Sequence, residues 1–134
     1  MALARAMILA AGFGTRLRPL TDELPKPLVP LGDRPIVSHI AERLAAQGFS
    51  ELVMNVHHGA EKFSSHIERL GWLFYLVHEP SIRGTAGGIA GARAHLDPGP
   101  IVAWNGDVVA NPPLAELCAA AGPGLAFAVA PRPA

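Results

Sequence analysis

Short apolar runs alternate with amphipathic stretches along the chain. Residues 6–11 read as a buried strand, closed by Gly12 and Gly14. Pro19, Pro25, Pro27 and Pro30 then stud a loop in which regular helix is not expected. Ile36, Val37, Ile40 and Leu44 recur at helical spacing, and Gly48 stands where a helix stop belongs. A strand is expected over 51–56, a helix over 60–70 with Phe63, Ile67 and Leu70 on one face, and a strand over 72–77. After a turn-rich stretch over 79–84, Thr85 can cap a helix reaching about Leu96, which Asp97-Pro98-Gly99-Pro100 ends. A strand over 101–104 carries Asn105-Gly106-Asp107 at its carboxyl end; a helix over 113–121 and a strand over 125–130 follow. This alternation predicts an α/β fold: a Rossmann-like, doubly wound, mostly parallel sheet with helices on both faces. Ligands of such sheets bind outside the carboxyl ends of the strands, where 12–16 and 105–107 both fall.

Composition narrows the class. The 134 residues are half hydrophobic and only 16% charged, which suits one globular domain with an apolar core. Eleven basic residues balance eleven acidic ones, so there is no concentrated positive field for nucleic acid or an anionic membrane. A few residues can still make a local anion site. Cys118 is the single cysteine, which excludes an intrachain disulfide and is expected as a small apolar filler in a reducing, cytoplasmic setting. The apolar start is short and runs straight into the glycine loop, so it reads as a strand and not a signal peptide. No stretch approaches the length of a membrane span.

The chemistry concentrates in Leu9-Ala10-Ala11-Gly12-Phe13-Gly14-Thr15-Arg16, followed by Pro25-Lys26-Pro27. Two glycines after a strand let the backbone turn tightly and present N–H groups to an anion. Arg16 offers a bidentate phosphate donor, and prolines on both sides stiffen the loop that carries Lys26. A dinucleotide fingerprint would need a third glycine where Leu17 stands, and a P-loop would need Gly-Lys-Ser/Thr, which does not occur. Asp107, at the end of a strand beside this loop, suits a hard cation that keeps several waters; an ordinary turn aspartate is the alternative. The six histidines show no zinc-ligand spacing and are assigned surface or structural roles, and Trp72, Phe74 and Tyr75 are assigned to strand packing.

These motifs resemble the signature of the sugar-1-phosphate nucleotidyltransferases, Leu-Ala-Ala-Gly-x-Gly-Thr-Arg-Leu with Pro-Lys-Pro downstream. The similarity continues through residues 28–36, where Asp33-Arg34 replaces the more frequent Gly-Lys type pair, then Gly84-Thr85-Ala86-Gly87-Gly88 and Asn105-Gly106-Asp107. The resemblance implies Mg²⁺-dependent attack of a sugar-1-phosphate oxygen on the α-phosphorus of a nucleoside triphosphate, with pyrophosphate leaving. It implies that Leu9, Ala11, Gly12, Gly14 and Thr15 hold the nucleotide, that Arg16 grips the leaving pyrophosphate, and that Lys26 stabilises the α-phosphoryl group. Glu79 and Gly84 would lie by the base and ribose, and Asp107 would ligate Mg²⁺. UTP, dTTP and GTP all remain open as donors. Bacterial enzymes acting on N-acetylmuramate-1-phosphate, mannose-1-phosphate or glucose-1-phosphate are the most similar subfamilies, and a homo-oligomer is compatible.

Members of that family are usually longer, with a second half that supplies another metal-binding aspartate and the sugar-phosphate site. Residues 1–134 are therefore expected to be the nucleotide-binding part without the acceptor-binding half. The competing expectation is a nucleotide-binding regulatory or assembly module, derived from such an enzyme but catalytically incomplete.

Overall fold

Arg5–Leu9 forms β1, and its three central residues, Ala6, Met7 and Ile8, are all buried. The computed structural model describes residues 5–67 and 73–131. After β1 come a 3-10 turn at Thr15–Leu17, a single helical turn α1 (Leu20–Glu23) and a second 3-10 turn at Lys26–Leu28. A two-residue hairpin, β2 (Pro30–Leu31) with β3 (Arg34–Pro35), leads into α2 (Ile36–Ala46). Then follow β4 (Glu51–Val56), α3 (Ala60–Ile67), β5 (Leu73–His78), α4 (Gly84–Gly91), α5 (Arg93–Leu96), β6 (Ile101–Asn105) and α6 (Leu114–Ala121).

The main sheet has the order β5-β4-β1-β6, and every pairing in it is parallel. Met7 is level with Val53 on one side and Ala103 on the other. Successive strands add to one side of β1 as far as β5, then the chain returns to place β6 on the other side. The strand order reverses at β1, and in open parallel sheets the ligand crevice lies at the carboxyl ends of the strands beside such a switch point.

Parallel strands need cover on both faces, and the period-two alternation of the strands supplies two apolar sets. Ala6, Ile8, Leu52, Met54 and Val56 form the larger core with Val37, Ile40 and Leu44 of α2, Phe63 and Ile67 of α3, and Leu114 of α6. Met7 and Val53 face the other way, against Ala92 and Leu96. Each large side chain fully removed from water contributes about 1.5–3 kcal/mol, so the α2 and α3 face dominates the packing. Cys118 is half-buried against that core.

Four expectations need correction. A short helix does form between Pro19 and Pro25, because four residues suffice for one turn and Pro19 sits at its start, where its missing N–H costs nothing. The helix expected over 85–96 is two pieces that meet at Ala92, whose N–H reaches the carbonyls of both Gly88 and Ile89. Gly84, Gly87, Gly88 and Gly91 make this a weak helical sequence, and Thr85 does not cap it: Arg83 holds the cap position without a side-chain bond. Residues 125–130 form no strand; Leu125, Phe127 and Val129 are 85, 79 and 89% exposed. Alternation alone does not pair a strand: among the described residues β5 and β6 each keep an open edge, and the segment lies on neither. Residues 68–70 of the expected third helix, and Trp72, lie outside the described residues. No helix among the described residues is long and apolar enough to cross a membrane.

Candidate active site

The β1 carboxyl end delivers the chain to Gly14, whose φ of +66° reverses it into the Thr15–Leu17 turn. Glycine is required there twice over. A side chain would be strained at that φ, and a Cβ would come within 2.9 Å of Thr21 Cγ2 and 3.2 Å of Lys26 Cβ. Buried Thr21 holds the turn by donating its hydroxyl to the Gly14 carbonyl at 2.6 Å. Lys26 starts its own turn, closed by Leu28 N–H to the Pro25 carbonyl at 2.8 Å, while Pro25, Pro27 and Leu28 are buried beneath it. The backbone under Lys26 is thus fixed and its amine projects from a rigid base.

On the other side of the crevice, Gly106 N–H donates to the Leu9 carbonyl at 2.9 Å, tying the turn after β6 to β1. A Cβ at Gly106 would lie 2.7 Å from that same carbonyl oxygen, so this approach too requires glycine. Trp104 Nε1 donates to the Val108 carbonyl at 2.7 Å and braces the turn from beneath. Asp107 thereby faces Lys26 across the cleft, with Nζ and Oδ2 2.7 Å apart.

The cleft has two adjoining compartments. One, of about 250 Å³, is lined by Leu9, Gly12, Gly14, Thr15, Arg16, Lys26 and Asp107, together with Asn105 and Gly106. The other, of about 190 Å³, is lined by Leu9, Ala11, Gly12, Glu79 and Gly84, with Asn55, Ile82 and Thr85. Leu9 and Gly12 belong to both. The residues to which the resemblance gave nucleotide, phosphate or metal roles therefore all line this cleft, and they divide by chemistry. The cations and Asp107 are in the first compartment; Ala11, Glu79 and Gly84 are in the second.

A buried polar relay underlies the second compartment, and the sequence reading missed its centre. Ala10 N–H donates to Asn55 Oδ1 at 2.9 Å, and Asn55 Nδ2 donates to Glu79 Oε1 at 2.9 Å. Glu79 Oε2 accepts from Arg83 N–H at 3.2 Å. Asn55 and Glu79 are 3% and 1% exposed, so these bonds offset the cost of burying an amide and a carboxyl group. Gly88 packs directly on the pair: a Cβ there would sit 2.6 Å from Asn55 Nδ2 and 2.9 Å from Glu79 Oε1. The available signal for Asn55 was a single polar residue within the otherwise apolar run Leu-Val-Met-Asn-Val that follows the exposed Glu51 of β4. A carboxylate has about four lone-pair positions, so each Glu79 oxygen retains accepting capacity.

Three of the six histidines make structural contacts away from the cleft. Ring nitrogens of His39 and His66 meet the carbonyls of Leu31 and Lys62, and His95 stacks on Tyr75. Among the described residues no three His, Cys, Asp or Glu side chains are grouped to hold a metal ion.

Residues 5–126 match the family model described as Nucleotidyl transferase. A mannose-1-phosphate guanyltransferase of Schizosaccharomyces pombe is 41% identical over 123 residues, and a probable mannose-1-phosphate guanylyltransferase 2 of Arabidopsis thaliana 42% over 125. Both alignments cover 86% of this chain, which spans about a third of those relatives (33% and 34%). Among solved structures, HddC from Yersinia pseudotuberculosis, complexed with GMP-PN, superposes with a TM-score of 0.80 at 22% identity, covering 89% of this chain and 54% of its own. A putative glucose-1-phosphate thymidylyltransferase from Bacillus anthracis gives 0.73 at 22%, covering 87% and 51%. The structural likenesses bear on the fold alone, which they match. With the sequence match running from β1 to beyond α6, the chain belongs to the nucleotidyl transferase family.

Proposed function

We propose that this chain is the nucleotide-binding part of a Mg²⁺-dependent enzyme that transfers a guanylyl group from GTP to mannose-1-phosphate and releases pyrophosphate. The observation that carries the reading is the division of the cleft: a compartment with Arg16, Lys26 and Asp107 adjoins one with a buried carboxylate, Glu79. Triphosphate in the first compartment leaves the base to the second. Guanine presents N1–H and an exocyclic amine side by side, two donors for a carboxylate. Uracil and thymine present one N–H flanked by carbonyl oxygens, which a carboxylate repels. The names of the relatives at 41 and 42% identity favour the same nucleotide and sugar.

In-line displacement at phosphorus needs alignment and charge neutralisation more than a protein nucleophile. Lys26, on its proline-stiffened turn, stabilises the negative charge that builds on the α-phosphoryl oxygens. Arg16 neutralises the departing pyrophosphate through two N–H donors. Backbone N–H groups of the glycine loop hold the phosphates. Asp107 fits Mg²⁺, which takes oxygen donors and is commonly bound through one or two carboxylates with water and phosphate oxygens. When bound, the ion supplies further neutralisation of the phosphates. The acceptor-binding half is assigned to sequence corresponding to the remainder of the relatives. A pyrophosphate-release assay on the native-length protein, across GTP, UTP and dTTP with several sugar-1-phosphates, tests the whole reading. GTP with mannose-1-phosphate should be turned over best. Tight nucleotide binding with no product for any pair would favour the catalytically incomplete module instead.

A further inference from the structure

The turn between β4 and α3 touches three separate segments of the site. His57 Nδ1 lies 2.6 Å from the backbone carbonyl of Glu79; the carbonyl can only accept, so Nδ1 carries the proton. The same ring meets Phe13, at the tip of the glycine loop, with centroids 5.5 Å apart and planes at 81°, the favourable edge-to-face arrangement. It also lies near-parallel to His78 at 6.5 Å. Gly59 packs so tightly on Pro25 that a Cβ would come within 2.7 Å of Pro25 Cγ, and Lys62 Nζ donates to the Glu23 carbonyl. One short stretch thus braces the glycine loop, the Lys26 turn and the Glu79 backbone together. Phe13 is 54% exposed and anchors the loop from outside, while its neighbours Gly12 and Gly14 line the cleft.

We propose that His57 is a positioning residue for nucleotide binding, with two separable functions: its Nδ1–H fixes the Glu79 end of the base compartment, and its ring holds the glycine loop through Phe13. The inference rests on reading the cleft as a nucleotide site. It predicts that two conservative variants fail differently. His57→Asn keeps an N–H donor at the position of Nδ1 but has no ring. His57→Phe keeps the ring but has no donor.

Calorimetric titration of the native-length protein with GTP and with UTP, each with Mg²⁺, reads both functions without relying on turnover. His57→Asn should weaken both nucleotides alike, by about two- to tenfold, the range of a lost aromatic edge contact, and keep the preference for GTP. Phe13→Ala, a change at an exposed side chain, should do the same. His57→Phe should instead reduce the preference for GTP over UTP by several-fold, since the Glu79 backbone loses its tether. Wild-type affinity and preference in all three variants would overturn the proposal. So would equal losses in both His57 variants that track their melting midpoints, which would mark a purely structural residue. If the wild-type protein bound neither nucleotide, the nucleotide-site reading itself would fall.

Discussion

Lys26 and Asp107 are half-exposed as well as paired, and that decides what their removal should do. An ion pair in contact with water contributes at most about 1 kcal/mol to folding, so Lys26→Ala should leave the melting midpoint within a few degrees of wild type. A preorganised cation facing charge that builds in the transition state is worth far more, about 10²- to 10³-fold in turnover. The variant should therefore lose most of its kcat with little change in stability or in nucleotide KM. Wild-type kcat would remove Lys26 from the chemistry. Asp107→Asn separates the metal from the pair: it should shift the Mg²⁺ activation curve to about tenfold or more higher concentration, and an unchanged curve would remove Asp107 from the metal site. These side chains could be singled out in the sequence because their residue types and spacing suit the proposed chemistry. Asn55 was not, since its role depends on β1, β4 and the segment after β5 meeting, and no local pattern encodes that.

At the scale of elements, α4 is a poor helix kept for its thinness. Four glycines lower its helical propensity, yet at Gly88 the missing Cβ lets the helix lie on Asn55 and Glu79. Gly88→Ala should raise local propensity and still destabilise the protein, by about 1–3 kcal/mol, because two buried polar groups already bonded to each other must move. A lower melting midpoint together with weaker GTP binding is expected; a higher midpoint would mean that the relay gives way freely. The ion pair between β3 and α2 offers a pH test. Arg34, bonded to Glu42 at 2.8 Å, holds the Glu42 carboxyl below the usual carboxylate range and is itself raised in return. A carboxyl group lowered in the folded state adds stability above its unfolded value, and loses it as pH falls through the folded value. The small midpoint difference between wild type and Glu42→Gln should therefore be present at neutral pH and vanish in acid. Strand and helix order could be read from periodicity, whereas the break at Ala92 and the short α1 could not, because single turns are decided by individual hydrogen bonds.

The whole molecule shows where pattern ends and pairing begins. Four of the five strands expected from alternation form, and the order β5-β4-β1-β6 puts both glycine-bearing turns at one crevice. The fifth, over 125–130, has the same alternation and stays unpaired, with Leu125, Phe127 and Val129 each more than three-quarters exposed. Alternation specifies a face to bury, but the partner edge is a tertiary fact. Contiguous exposed apolar side chains of this kind drive association in isolated domains. The 134-residue polypeptide should therefore bind a hydrophobic dye and sediment as a concentration-dependent mixture. Replacing Leu125, Phe127 and Val129 together by Ser should suppress both effects. Each side chain buries little in its own domain, so each substitution should stay within about 0.5 kcal/mol of neutral and the melting midpoint should barely move. If the triple variant melted much earlier and bound more dye, the segment would be packing on its own sheet, and the expected strand would have formed after all.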